Sequence, residues 1–500
     1  MTAIPAARAP AAEADAAVAK PARTSLWTRI AYGLGAGAIG VKDNGFSFFL
    51  LIFYSQVVGL DARLVGLALT VALVVDAFVD PIVGYWSDNV RSRWGRRHPF
   101  MYASAIPFAG LYLLLWNPPH GWPQMQLFAY LVSMAVLIRL FVSLYQVPSQ
   151  ALMAELSQNY DERSTLQSFR SYFAWTVGNT MSVLMFMAIF PAFATATIKN
   201  GQFNPDSYRV YGAIAAGLIF TMALICSAGT HGRIPYLKAP PPQRRLTVGK
   251  IFREIFETLA NRSFVALFIS NAFGSVAAGL SASLAFYWPT YFWHFPPRLT
   301  GWITFGVFAS AILGGLIAPA ASRAIGKKRA AMVIGLIAFL GQPMPILLRV
   351  LGLLPDNGSP MIFWVVFLTT MFDTALIIGF EILNYSMMAD LVEHSELKTG
   401  RRSEGVFASA ITFTQKATNG IGLIMAGLVL TAAGLQAGAD TSHVSHQTLM
   451  RLGGIYVPTI ITIWMAMVGV IAFYGISRDT HEAALKTLAG RDTAEHGPLA

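Results

Sequence analysis

Apolar stretches long enough to cross a bilayer recur along this chain, each closed by a short polar break. A helix needs about 20 predominantly apolar residues to span the hydrocarbon of a membrane. By that measure roughly twelve spans are predicted, at 30–59, 62–88, 99–117, 124–154, 166–192, 208–230, 263–293, 300–322, 329–354, 359–391, 403–435 and 450–476. In lipid every backbone N–H and C=O must be paired inside the segment, so runs of this length form helices. The pattern predicts an all-α membrane protein of twelve transmembrane helices.

The polar breaks are unequal. Arg91, Arg93, Arg96 and Arg97 follow the second span, Arg233, Lys238, Arg244, Arg245 and Lys250 the sixth, and Arg323, Lys327, Lys328 and Arg329 the eighth. The break NPPHGWPQ after the third span has no Lys or Arg. Basic loops stay in the cytoplasm, and an even number of spans then puts both termini there. Residues 1–25, rich in Ala and Pro and interrupted by Glu13 and Asp15, read as a disordered cytoplasmic tail rather than a signal peptide. Residues 477–500 read as a second cytoplasmic tail.

The breaks also repeat. SDNVRSRWGRRHPF between spans two and three resembles PAASRAIGKKRAAM between spans eight and nine, and LMAELSQNYDERS after span four resembles MMADLVEHSELKTGRR after span ten. An offset of six spans gives two halves of the same orientation, 26–230 and 263–476, joined by a cytoplasmic linker at 231–262. In such a duplication the ligand site lies between the halves near the bilayer midplane.

Composition narrows the function. With 55% of its 500 residues hydrophobic and 12% charged, the chain is no water-facing globule. The net charge of +11 sits in the short loops as an orientation signal, leaving no basic face for nucleic acid. Cys226 is the sole cysteine and lies in an apolar span, so no intramolecular disulfide forms. Gly33, Gly35 and Ala38 in GLGAGA fit a dinucleotide fingerprint, yet no strand precedes them, and the small residues are expected to let helices touch. No Walker loop, metal-ligand cluster or nucleophile elbow appears, so neither an enzyme nor a cofactor is expected.

Charges inside the spans are where chemistry is expected, because an intramembrane Asp, Glu, Lys or Arg is costly. Asp76 and Asp80 in the second span share one helix face. At about 6 Å and an effective dielectric near 20 they repel by ~3 kcal/mol, so a proton, a bound Na⁺ or a nearby Lys ammonium must neutralise them. The alternative is that both acids reach water. Lys416, about fourteen residues or ~21 Å of helix beyond Arg402, is the candidate counter-charge. Lys42 and Asp43 interrupt span one, where Asp43 can accept paired hydrogen bonds from vicinal hydroxyls or pair with a neighbouring helix. Arg139, Asp373 and Glu381 are further charges within spans, and Glu381 has Asn384 and Tyr385 close by. Arg170 either enters the cavity or anchors its helix at the headgroups. Asp88, Arg91, Arg93, Arg96, Arg97, Glu155 and Arg163, with Asp390 and Arg401 in the repeated loops, read as a cytoplasmic gate.

DAFVDPIVGYWSD with RSRWGRRHP, then YQVPSQALMAELSQNYDERSTLQSFR and MMADLVEHSELKTGRRSEGVFASAITFTQKATNG, resemble the glycoside-pentoside-hexuronide:cation symporters, the family of melibiose permease, over about residues 30–475. The resemblance implies the major facilitator fold and import of a sugar or glycoside with H⁺ or Na⁺ by alternating access. It places the cation at Asp76, Asp80 and Lys416, with Ser143 keeping a hydroxyl at another site position, and sugar binding at Asp43 and Arg170; Gln146 and Gln150, and from the polar residues within spans Lys42, Glu381, Asn384 and Tyr385, complete the expected substrate site. It departs from melibiose permease where Gln146 replaces an Asp, Gln150 a stacking Trp and Val79 an Asn. Loss of the Asn oxygen leans towards H⁺, and the YQVP segment also resembles lysophospholipid symporters. A lipid symporter and a non-transporting sensor are the competing readings. The chain is expected to be a monomer in the cytoplasmic membrane, in contact with lipid and with no nucleic acid partner.

Overall fold

The computed structural model describes residues 24–157, 160–236, 262–399, 404–439 and 444–475. It is helical throughout, with no strand among the described residues. Among the described residues, twelve helices are long and apolar enough to cross a membrane. They are α1 (Leu26–Val57), α2 (Ala62–Asn89), α3 (His98–Leu115), α4 (Gln124–Leu156), α5 (160–192), α6 (Pro205–His231), α7 (262–292), α8 (Pro297–Ile325), α9 (Lys327–Val350), α10 (Pro360–Thr399), α11 (Glu404–Ala433) and α12 (His446–Ile471). Leu67, Val74, Ile106, Ile312, Leu316, Ile337 and Leu428 are exposed along them, as a belt against lipid tails requires.

The helix ends follow from local chemistry. Asp61 caps α2 by accepting from the Arg63 N–H at 2.8 Å, and Ser445 caps α12. Gly326, at φ 80°, supplies the left-handed residue that turns α8 into α9. Its counterpart in the first half is Gly95, at φ 71° in the loop between α2 and α3. We call the membrane face with these two turns the basic face, and the opposite one the far face.

Several spans are less regular than the apolar runs suggest. α1 contains two π-helical turns, Gly45–Phe49 and Phe53–Val57, and α5 contains a third at Met185–Ile189. α9, read from sequence as one run, is broken between Gly341 and Met344, where Pro343 removes a backbone donor. α2, by contrast, continues through Pro81.

The duplication is visible in helix crossings as well as loops. In the first half α1 lies against α5 so closely that a Cβ on Gly40 would fall 1.9 Å from the Ala174 carbonyl oxygen, and one on Gly178 2.6 Å from that of Gly40. In the second half α7 and α11 meet through Gly279 and Gly422 in the same manner, with a Cβ on Gly422 2.2 Å from the Val276 carbonyl oxygen. Only glycine permits this backbone approach, and in the GLGAGA segment Gly33 likewise lies against α5, where a Cβ would fall 3.0 Å from the Phe169 carbonyl oxygen.

Two seams join the halves. Along α2 and α11, Gly66 abuts the Leu423 carbonyl, Gly427 abuts that of Ala62, and the Thr70 hydroxyl donates to the Gly420 carbonyl at 2.7 Å. Along α5 and α8, Trp175 meets Phe308 edge-on at 5.1 Å and Met187 packs on Gly301. Between these seams the far face is closed by aromatic rings: Phe286 of α7 packs on Phe48, Phe49 and Phe186, and the Tyr291 hydroxyl donates to Gln56 at 3.2 Å. These bridges all lie level with Asp80 or on its far-face side.

Candidate functional site

Halfway along α2, Asp76 and Asp80 point into the α2–α11 seam and towards α4, as their four-residue spacing predicts. Lys416 of α11 reaches both acids, lying 2.8 Å from Asp76 Oδ2 and in contact with Asp80 Oδ2. From α4, Ser143 Oγ lies 2.9 Å from Asp76 Oδ1 and 2.6 Å from Asp80 Oδ1. The fourth member is Arg139, one turn before Ser143, whose Nη1 donates to Asp76 Oδ2 at 3.1 Å. Two carboxylates thus meet two cations and one hydroxyl, and the mutual repulsion of the acids is offset at shorter range than it acts.

Sequence reading had marked Arg139 as a charge within a span without giving it a partner. The signal was its four-residue spacing from Ser143, which puts both on the α4 face that meets α2. Arg139 also sits 5.4 Å above the Phe46 ring, in the first π-helical turn of α1. Lys42 also lies against that ring, 5.9 Å from its centroid, and is paired with Asp43. Lys42 is buried, whereas the Asp43 side chain is 58% exposed and free to meet a ligand.

The remaining substrate candidates divide. Gln150 and Glu381 are exposed and Gln146 half-buried, and none of the three has a side-chain hydrogen bond among the described residues. Glu381 is accessible although protein surrounds it, which places it on a cavity wall rather than against lipid. The Asn384 amide donates to Asn271 Oδ1 at 3.3 Å, as does that of Gln415, giving a polar cluster of α7, α10 and α11 that sequence reading did not assemble. Tyr385 is exposed beside it. Arg170 neither lines a cavity nor anchors at headgroups: it is buried, donates to Ser149 Oγ at 3.0 Å and lies 5.2 Å over the Tyr32 ring, tying α5 to α4 and α1.

At the basic face the two halves carry related ion pairs. Arg96 and Arg97 each donate to Glu155 Oε1 at 2.9 Å, and Arg97 also contacts Asp88 and donates to Ser87 at 2.8 Å. In the second half Lys327 donates to Asp390 at 2.7 Å. Glycine, cation and acid recur in register, from Gly95, Arg96 and Glu155 to Gly326, Lys327 and Asp390. Arg163 donates to the Ser157 carbonyl at 2.7 Å. The structure does not bring Arg91 and Arg93 into the network: both precede the Gly95 turn and point to solvent, Arg93 over Trp94. Arg401, also assigned to the gate, lies outside the described residues.

A charge cluster that bridges two six-helix halves at mid-depth is the architecture of a major facilitator transporter. The chain belongs to the family described as MFS/sugar transport protein, whose profile matches residues 31–478. It is 26% identical to an uncharacterized symporter of Synechocystis sp., over 94% of this chain and 97% of that protein. It is 27% identical to an isoprimeverose transporter of Lactiplantibacillus pentosus, over 82% and 81%. Among solved structures, a D-xylose-proton symporter shares the fold, with a TM-score of 0.59 at 14% identity over 87% of this chain and 96% of that one. The protein is therefore an integral membrane transporter and not an enzyme, with the likeness to melibiose permease read from its motifs lying within the same family.

Proposed function

We propose that the protein is a cation-coupled symporter that imports a sugar or glycoside across the cytoplasmic membrane by alternating access, with its basic face in the cytoplasm. The observation that carries this reading is the contact of Lys416 with both Asp76 and Asp80, because it binds the second half to the ion-binding acids of the first. A cation that neutralises an acid releases part of that contact and resets the α2–α11 seam. The substrate binds between Asp43, Gln146 and Gln150 on one side and Glu381, Asn384 and Tyr385 on the other. Carboxylates and amides of this kind suit the vicinal hydroxyls of a sugar. Substrate and cation then strengthen each other's binding by the same factor.

The conformation described is clasped on the far face by the Phe286 and Tyr291 contacts, so we read it as open to the cytoplasm. The ion pairs at Glu155 and Asp390 are then gate contacts that break and re-form as the halves rock. The names of relatives guide the choice of substrates: an isoprimeverose transporter, a sulfoquinovose importer of Salmonella typhimurium and a D-xylose-proton symporter.

The test is uptake into proteoliposomes of labelled isoprimeverose, xylose and sulfoquinovose, alongside a lysophospholipid, with H⁺ and Na⁺ gradients imposed separately. Accumulation of a sugar under one gradient is the expected result. Movement of the lipid alone would transfer the protein to the lipid branch. Binding of a sugar without accumulation under either gradient would make it a sensor.

A further inference from the structure

The Ser143 hydroxyl has one hydrogen to give, yet its oxygen lies within hydrogen-bond distance of a carboxylate oxygen on each acid, 2.9 Å from Asp76 and 2.6 Å from Asp80. Two bare carboxylates cannot both be satisfied by one hydroxyl. The arrangement is complete with one additional proton: the Asp80 carboxyl donates to Ser143 Oγ, and Ser143 donates to Asp76. Asp80 meets one cation where Asp76 meets two, which makes Asp80 the acid to carry that proton.

The other carboxylate oxygens are already covered. Asp76 Oδ2 receives both Arg139 and Lys416, and Asp80 Oδ2 receives Lys416. Of these two cations only Lys416 stands on the opposite half and moves with it. Arg139 stands on α4, in the same half as the acids, its guanidinium over the Phe46 ring and its Nε–H buried without a partner. A guanidinium keeps its proton at any biological pH. A Na⁺ at the acids would therefore sit against a fixed positive charge, with both Oδ2 atoms already taken by N–H donors and with no oxygen from Val79. A proton needs one oxygen and no coordination shell. The charged and titratable groups facing Asp80 are Lys416 from α11, Asp76 from its own helix and, through Asp76, Arg139 from α4 and Lys42 from α1.

We propose that Arg139 is a resident cation that occupies one positive position of the Asp76–Asp80 site permanently, so that the site loads a proton on Asp80 through Ser143 and excludes Na⁺. Once Asp80 is protonated, Lys416 is held by Asp76 alone, in company with Arg139, and the α2–α11 seam is loosened at its centre. The proposal rests on the reading of this cluster as the coupling site and names its ion.

The experiment measures equilibrium binding of radioactive Na⁺ to the purified full-length protein, with thermal unfolding in NaCl against choline chloride as a second readout. Wild type and Arg139→Lys are expected to show no saturable binding and no NaCl-specific shift. Arg139→Ala and Arg139→Gln are expected to gain both, and Asp76→Asn in the Arg139→Ala background to remove them again. Saturable Na⁺ binding by the wild type would overturn the proposal. So would folded Arg139→Ala and Arg139→Gln that both stay blind to Na⁺. Because binding needs no sugar, these results stand apart from the transport reading: Na⁺-driven sugar uptake would sink the proposal and leave the symporter intact. Absence of any uptake, with the expected binding pattern, would do the reverse.

Discussion

The two seams that join the halves are related by the duplication, and they differ in content. Along α2 and α11 the contact is polar at its centre, with Asp76, Asp80 and Lys416 at mid-depth and glycines admitting backbone to backbone beyond them. Along α5 and α8 it consists of Trp175 on Phe308 and Met187 on Gly301, and α8 carries no charged residue between Arg298 and Arg323. Duplication supplied a symmetric scaffold, and only one seam acquired a charge that an incoming cation can alter. In the proposed mechanism the α2–α11 seam is thus the one a cation controls, and the α5–α8 seam acts as a passive pivot.

The widest predicted difference between the seams is in transport. Lys416→Ala leaves Asp76 and Asp80 without their link to the second half and should abolish gradient-driven accumulation, a loss of about 5–150-fold for a coupling of 1–3 kcal/mol. Trp175→Ala and Phe308→Ala should lower the uptake rate and keep accumulation. Initial rates and plateau levels measured in one proteoliposome assay separate the two effects.

Next come the ion pairs of the basic face. Glu155→Gln deprives the buried Arg97 and the partly buried Arg96 of their shared carboxylate but leaves Arg97 its contact with Asp88, so the cost falls below the ~3–5 kcal/mol of a fully broken buried pair and above that of a screened one. Asp390→Asn removes a pair whose Lys327 is 34% exposed, so solvent screening holds the cost to ~1 kcal/mol. Thermal unfolding of the purified variants should rank them in that order.

Adding a methyl group to each seam gives a smaller contrast. A Cβ on Gly66 would fall 2.6 Å from the Leu423 carbonyl oxygen, which is backbone and cannot move aside, so Gly66→Ala should cost ~1–3 kcal/mol. On Gly301 the obstacle at 2.9 Å is the flexible end of Met187, and Gly301→Ala should cost well under ~1 kcal/mol.

Helix caps at the far face give the smallest difference. Asp61 caps α2, whereas α8, its counterpart, starts at Pro296 with no side-chain cap. Asp61→Ala should therefore cost ~1 kcal/mol. The Arg63 hydrogen bonds hold the Asp61 carboxyl below its usual 3.8 against a smaller opposing effect of burial. A depressed value means that the contribution is full above pH 3.8 and fades as pH falls further, so variant and wild type should converge in acid. Unfolding at neutral and acidic pH checks this.

Much of this was legible in the chain. The twelve spans followed from apolar length, the duplication from two pairs of similar loops, and the joint face of Asp76 and Asp80 from helical period. What the sequence could not supply was partnership across helices. Period assigns a residue to a face but does not say which neighbour covers that face, so Arg139 stood as an unpaired charge and Arg170 was assigned to the cavity or the headgroups rather than between α1, α4 and α5. The π-helical turns of α1 and the break in α9 were hidden for another reason: an apolar run looks the same whether its backbone is regular or interrupted. Arg91 and Arg93 were counted with the gate because charge composition cannot register the turn at Gly95 that faces them outward.

The central claim is that a cation acts on the Asp80–Lys416 contact to drive transport. Its most direct test compares accumulation with exchange in Asp80→Asn proteoliposomes. The account predicts that the variant loses accumulation under either gradient while still exchanging labelled for unlabelled sugar at equilibrium, since the halves can rock without the ion. Gradient-driven accumulation by Asp80→Asn at the wild-type level would contradict it.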